Sequence, residues 1–184
     1  MNAREYGLEL SLMRLRAKRN RRKFMIGLFI WCVCIWGILH RMYGVSVVYG
    51  NSMRPAFLSG DIVVYQRNVK HLNYGDVIVL QSWLDQEMDY VKRISALPGD
   101  VVSVDEKGYL TLDGEEVKEA EILHGYQQTD SPIQYPYRLA EQEYFCMGDN
   151  RPVSLDSRTF GPVAISQIRG KEVLLIRFGH GRGI

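Results

Sequence analysis

Residues 103–114 read Ser-Val-Asp-Glu-Lys-Gly-Tyr-Leu-Thr-Leu-Asp-Gly, and this stretch decides the fold. Two short apolar runs are punctuated by Lys107-Gly108 and Asp113-Gly114, dipeptides suited to tight turns. The pattern predicts a β-hairpin. The same grammar extends outward in both directions. Stretches 45–49, 61–66, 76–80, 89–94, 101–104, 109–112, 144–147 and 172–178 are short, rich in Val, Ile and Tyr, and bounded by Gly, Asp, Asn or Pro. That is the signature of a mainly β, antiparallel domain. Residues 115–143 are polar, contain Pro132 and Pro136, and read as a surface excursion within a small insert at about 105–143. Residues 160–170, with Pro162, suit a short helix or turn before the last strand, and the glycine-rich end, 179–184, reads as frayed.

At 184 residues the chain can hold one domain with a sizeable core plus a tail or anchor. Its net charge of +2 conceals an asymmetry. Residues 1–23 hold eight Lys/Arg against Glu5 and Glu9, whereas the remainder holds 15 basic and 19 acidic residues. A mildly acidic body argues against nucleic acid as its partner. Residues 24–39, FMIGLFIWCVCIWGIL, carry no charge over 16 positions. A membrane-spanning helix takes roughly 17–25 apolar residues. Lys23 and Arg41 can snorkel, and His40, Met42 and Tyr43 can sit at the interface, which extends the span to 24–43. A buried core helix fits the flanking charges less well. A cleaved signal peptide is disfavoured because no small-x-small site closes the run. Seven basic residues between Arg14 and Lys23 place the N-terminus in the cytoplasm by the positive-inside rule. The expected organisation is a basic cytoplasmic tail (1–23), a single membrane helix (24–43) and an extracytoplasmic β-rich domain (44–184).

Cys32 and Cys34 fall in the span, and Cys146 is the only cysteine beyond it, so no disulfide is expected within the external domain. No Cys/His cluster has metal-ligand spacing, and neither a metal nor another cofactor is expected.

Three segments carry chemistry. Ser52 lies in Gly50-Asn51-Ser52-Met53-Arg54-Pro55. A serine is a weak nucleophile until a base takes its proton. Gly50 is expected to permit a close backbone approach and Pro55 to stiffen the turn, exposing the hydroxyl and aiming the Ser52 amide at a developing oxyanion. Taken alone, a Ser-x-x-Pro tetrapeptide is better read as an ordinary turn serine. Lys92 lies in the strand-like Asp89-Tyr90-Val91-Lys92-Arg93-Ile94, where alternation places it on one face with Tyr90 and Ile94. Turned into an apolar environment, its amine loses proton affinity and becomes a base; turned outward, it is an exposed strand lysine. The third segment, residues 148–161, is dense in hydrogen-bonding groups, with Asp156 and Arg158 spaced for a bidentate pair and Ser154 for holding a neighbouring amine. A Ser-His-Asp triad finds no support, since His40, His71, His124 and His180 lie in no comparable signature.

Taken in order behind an N-terminal anchor, these segments resemble the bacterial type I signal peptidases, in the short single-anchor form. The resemblance rests on Ser52-Met53-Arg54-Pro55, Gly60-Asp61-Ile62-Val63-Val64, Lys92-Arg93-Ile94 with Leu97-Pro98-Gly99-Asp100, and Gly148-Asp149-Asn150 with Ser154, Asp156-Ser157-Arg158 and Phe160-Gly161. It implies a serine endopeptidase that removes signal peptides from secreted preproteins after a small-x-small motif. Ser52 would be the nucleophile and Lys92 the general base. Ser154 would orient the lysine amine, Asp156 and Arg158 would support the site, and the oxyanion donors would be the Ser52 amide with Gly50 as a second backbone candidate. The implied partners are preprotein signal peptides and the lipid bilayer, with the secretion machinery as a further candidate, and no nucleic acid. Substrate would add a strand to an exposed sheet edge. A lysine base rather than a histidine points to the bacterial branch. Two departures stand out: Ala56 replaces the family's usual threonine, and Gly50 replaces a serine that donates a second oxyanion bond in many members. A non-catalytic relative would be expected to lack Ser52 or Lys92, and a self-cleaving repressor-type Ser/Lys protease would need a DNA-binding segment instead of a span.

Overall fold

A computed structural model describes residues 3–81, 89–105, 107–117, 122–123, 125 and 132–178, with the backbone alone for 3–17. The expected frayed end lies outside the described residues, as do His124, His180 and parts of the 115–143 excursion.

The N-terminal unit is one helix, α1, Ala3–Met42. It starts well before the apolar run, because nothing in residues 3–23 breaks a helix once the apolar turns nucleate it. Within it, Lys18–Met42 is long and apolar enough to cross a membrane. Those 25 residues measure about 37 Å at 1.5 Å per residue.

The second unit is β-rich. Its strands are β1 Tyr43–Val47, β2 Ile62–Gln66, β3 Val77–Gln81, β4 Asp89–Ala96, β5 Val101–Val104, β6 Leu110–Leu112, β7 Glu115–Glu116, β8 Tyr137–Arg138, β9 Glu143–Met147, β10 Val163–Ala164 and β11 Ile168–Ile176, with a short helix α2 at Ser157–Phe160. The first strand begins at Tyr43 rather than Val45, because Tyr43 pairs with Gln66 and its carbonyl accepts from Arg67 Nε at 3.0 Å. That takes the last residue of the expected span into the sheet. Seven strands form an antiparallel sheet in the order β1-β2-β11-β3-β4-β9-β10. Four form a smaller sheet, β7-β6-β5-β8. The 103–114 stretch forms the predicted hairpin, with Ser103 opposite Thr111. Asp113 and Gly114 both have positive φ, as a type I′ turn into β7 requires.

Strand β3 shows how the core forms. Val77 and Val79 join Val48, Met53, Phe57, Val63, Tyr65 and Val91 on one face. Ile78 and Leu80 join Leu72, Ile94, Tyr144, Cys146 and Val163 on the other. Burial on both faces explains why β3 is a continuous apolar run rather than an alternating one. A third cluster, around Val102, Leu110, Leu139, Phe145 and Met147, joins the smaller sheet to the ends of β4 and β9.

Candidate active site

The turn after β1 carries Ser52. Met53 and Phe57 are buried in the first core cluster, and the Phe57 amide donates to the Met53 carbonyl at 2.9 Å. Anchored there, the turn leaves Ser52 half-buried at its crest. The base of the loop is locked by Asp61, fully buried, which accepts from the Leu58 amide and from Arg177 Nε and Nη2 at 2.7–2.9 Å. Gly50 has φ +83°, and a Cβ there would meet no described atom within 4 Å. Its glycine is therefore required by the left-handed backbone, not by the close approach expected from the sequence.

Lys92 is in β4, with Tyr90 and Ile94 on its face and Val91 on the other, as strand alternation dictates. Only 2% of it is exposed. Its Nζ donates to Ser52 Oγ at 2.9 Å and lies 5.6 Å from the centre of the Tyr90 ring. Burial brings the Lys92 pKa down from 10.5 to about 8, opposed chiefly by the negative charge of Asp156 and less by that of Asp149, while Arg158 adds to the lowering. Cys146, two residues before Gly148 on β9, is fully buried, and its thiol is pushed far above the ordinary range by desolvation. It stays neutral and contributes to the apolar surroundings of the amine.

The loop after β9 frames the pair. Asp156 is fully buried and binds Arg158 in bidentate fashion, Nε to Oδ1 at 2.8 Å and Nη2 to Oδ2 at 2.9 Å. Its Oδ2 also accepts from the Gly148 amide at 3.0 Å, and its Oδ1 caps α2 through the Arg158 amide. Arg158 Nη2 further donates to the Arg151 carbonyl at 2.7 Å. Arg93 clamps Asp149 through Nε and Nη2, at 2.8 and 2.6 Å, and reaches the Gly75 carbonyl through Nη1. At Gly148, a Cβ would collide with Ser154 Oγ and the Ser52 carbonyl, so only glycine lets these two loops meet. Ser154 is buried, and its Oγ has no hydrogen-bond partner among the described residues.

The structure thus joins Ser52 to Lys92 and Asp156 to Arg158, and brings Ser154 against Gly148 rather than into a hydrogen bond with Lys92. Sequence reasoning quoted Asn150 in its motif without a role; its amide donates to the Ser52 carbonyl at 2.9 Å and its Nδ2 donates to the Asn51 carbonyl at 3.0 Å. Nor did it assign roles to Gly148 and Cys146. The signal available was a glycine followed by two polar residues directly after an apolar strand. His71 is exposed between β2 and β3, and His40 lies in α1. Among the described residues no three His, Cys, Asp or Glu side chains gather as a metal ion would need.

Comparison with known proteins fits this architecture. A family model described as signal peptidase, peptidase S26, matches residues 21–177. A signal peptidase I of Bacillus caldolyticus is 33% identical over 174 residues, covering 85% of this chain and 90% of its own. Signal peptidase I S of Bacillus subtilis (strain 168) is 32% identical over 136 residues, covering 67% and 71% respectively. A crystal structure of a signal peptidase I from Enterococcus faecalis V583 aligns with a TM-score of 0.47 at 26% identity, covering 56% of this chain and 98% of that one. The family model and the signal peptidase I relatives define the protein as a peptidase, a hydrolase of the peptide bond. The chain belongs to the peptidase S26 family, the signal peptidases.

Proposed function

We propose that this chain is a membrane-anchored serine endopeptidase that removes N-terminal signal peptides from secreted preproteins, cutting after a small-x-small motif, with Ser52 as nucleophile and Lys92 as general base. The observation that carries the reading is the 2.9 Å contact between Lys92 Nζ and Ser52 Oγ inside a buried, apolar setting. A pKa near 8 gives the amine a substantial neutral fraction at physiological pH. Neutral Nζ takes the Ser52 proton as Oγ attacks the scissile carbonyl. The resulting ammonium then returns that proton to the leaving amine, and water releases the acyl group with the same amine as base. The Ser52 amide makes no hydrogen bond within the described protein, which leaves it free to receive the oxyanion. Gly50 remains the candidate for a second backbone donor. Ser154 Oγ, buried and without a partner among the described residues, is the candidate to orient the lysine amine once it shifts during turnover, and Asp156 and Arg158 hold the loop that carries it.

The anchor is α1. Its large apolar residues, including Phe24, Phe29, Trp31 and Trp36, are exposed, and a bilayer is the solvent in which that surface is stable. Basic residues 14–23 put the N-terminus in the cytoplasm and the catalytic unit outside, in the organisation 1–23, 24–43 and 44–184. Preproteins and the bilayer are its partners, with the secretion machinery a further candidate. The test is to incubate detergent-solubilised protein with a preprotein and sequence the new N-terminus. A single cut after a small-x-small site supports the reading; a cut elsewhere removes the specificity claim.

A further inference from the structure

Within the polar excursion, Leu123 and Gly125 lie against the loop that follows β9. Leu123 bridges Asn150 in parallel, its amide donating to the Asp149 carbonyl at 2.8 Å and its carbonyl accepting from the Arg151 amide at 3.0 Å. Successive peptide groups of an extended chain point to opposite sides, so the Asn150 amide faces away from Leu123, toward the carbonyl of Ser52. The backbone of 149–151 therefore lies between two neighbours, the nucleophile turn on one side and Leu123 on the other. A second, independent close approach lies two residues further along both segments. Gly125 has φ +154°, and a Cβ built on it would come within 2.6 Å of Pro152 Cγ. Both contacts fall on the piece of chain between Gly148, which supports Ser52, and Ser154.

We infer that Leu123 is a positioning residue for catalysis, its peptide unit clasping the Asp149–Arg151 backbone so that Asn150 holds the Ser52 turn over Lys92. Leu123 is 47% exposed, so the paired backbone amide and carbonyl, not burial of the isobutyl group, carry the role. The role acts only through Asn150 and Ser52, and rests on the assignment of Ser52 and Lys92 proposed above. Displacement of a reacting group by about 1 Å costs on the order of 10²-fold in rate, so a clasp remote from the substrate can govern turnover. Because Leu123 does not touch the nucleophile, loosening it should alter kcat and the surroundings of the lysine rather than substrate affinity.

The experiment uses the full chain in detergent with a peptide substrate bearing a small-x-small site, measuring kcat and KM from pH 6 to 10. Leu123→Pro removes the amide donor and is expected to lower kcat by roughly 10- to 100-fold with KM within about twofold. The acidic limb of its profile should move to higher pH, as water reaches Lys92. Leu123→Ala keeps the amide and should restore turnover and the limb near its original position. A Leu123→Pro enzyme with wild-type kcat and limb, or equal defects in both variants, would overturn the clasp. Should Leu123→Pro not fold, Gly125→Ala, which pushes on Pro152, should give the same loss of kcat and shifted limb, with partial rescue by Pro152→Ala. A loss that follows only the amount of folded enzyme, with the limb unmoved, contradicts the inference. Ser52→Ala run in parallel separates the two ideas, since its retaining turnover would refute the nucleophile and leave the clasp without a target.

Discussion

Lys92 Nζ and Ser52 Oγ, 40 residues apart in sequence, are joined by a 2.9 Å hydrogen bond whose lysine end is buried. One partner stands on an inner strand and the other on a turn anchored by Met53, and the 148–158 loop holds them in register. Each consequence can be measured.

The pH dependence follows from burial of the amine. In the proposed mechanism Lys92, protonated below a pKa of about 8, cannot accept the serine proton there, and above it the amine is free to act as base. The value of kcat/KM should therefore rise with pH along a limb near 8 rather than near 6.5, where a histidine base would titrate. Asp156 is the largest influence opposing burial, so Asp156→Asn should move the limb to lower pH in whatever activity remains.

The same burial costs stability. The folded pKa of Lys92 lies below its unfolded value of 10.5, so the penalty of a buried charge is fully present below pH 8 and is relieved as pH rises from 8 to 10.5. Lys92→Met should abolish cleavage yet stabilise the fold by up to about 3 kcal/mol at pH 7, with the gain shrinking toward pH 10.5. Thermal unfolding of both forms at the two pH values checks this.

Gly148→Ala places a methyl group against Ser154 Oγ and the Ser52 carbonyl. The two loops must part, and kcat should fall by about 10²-fold with KM little changed. Steady-state kinetics on a variant shown to be folded provide the check.

Asp156 and Arg158 form a buried pair that also satisfies the Gly148 amide and caps α2. Asp156→Ala strands the guanidinium and the amide together, so a loss of about 3–5 kcal/mol is expected in denaturant unfolding. A loss below about 1 kcal/mol would show that the loop is held by other contacts.

Much of this was legible in the chain. Strand alternation placed Lys92 with Tyr90 and Ile94, and Asp113-Gly114 marked its turn, because both signals are local. The extent of α1 was not, although Leu8, Leu12 and Leu15 recur at helical spacing, because the charges between Arg4 and Lys23 set that stretch apart from the apolar run. The start of β11 was missed because Arg169-Gly170 reads as a turn. There Gly170 pairs with Val79, and its Cβ position is occupied by the Gln66 carbonyl, a close approach fixed by tertiary packing. The two-residue strands β7, β8 and β10 are too short to show any period. Leu123 was silent because it acts through backbone groups, which every residue type possesses, and so was the bond from the Asn150 amide to the Ser52 carbonyl.

The most direct test of the central claim is preprotein cleavage by Ser52→Ala and Lys92→Ala, each in detergent and each shown to be folded by circular dichroism. The account predicts that both lose at least about 10²–10⁴-fold in turnover, the range attributable to a positioned base, with the serine variant at the deeper end. Turnover within about tenfold of wild type in either variant would contradict it.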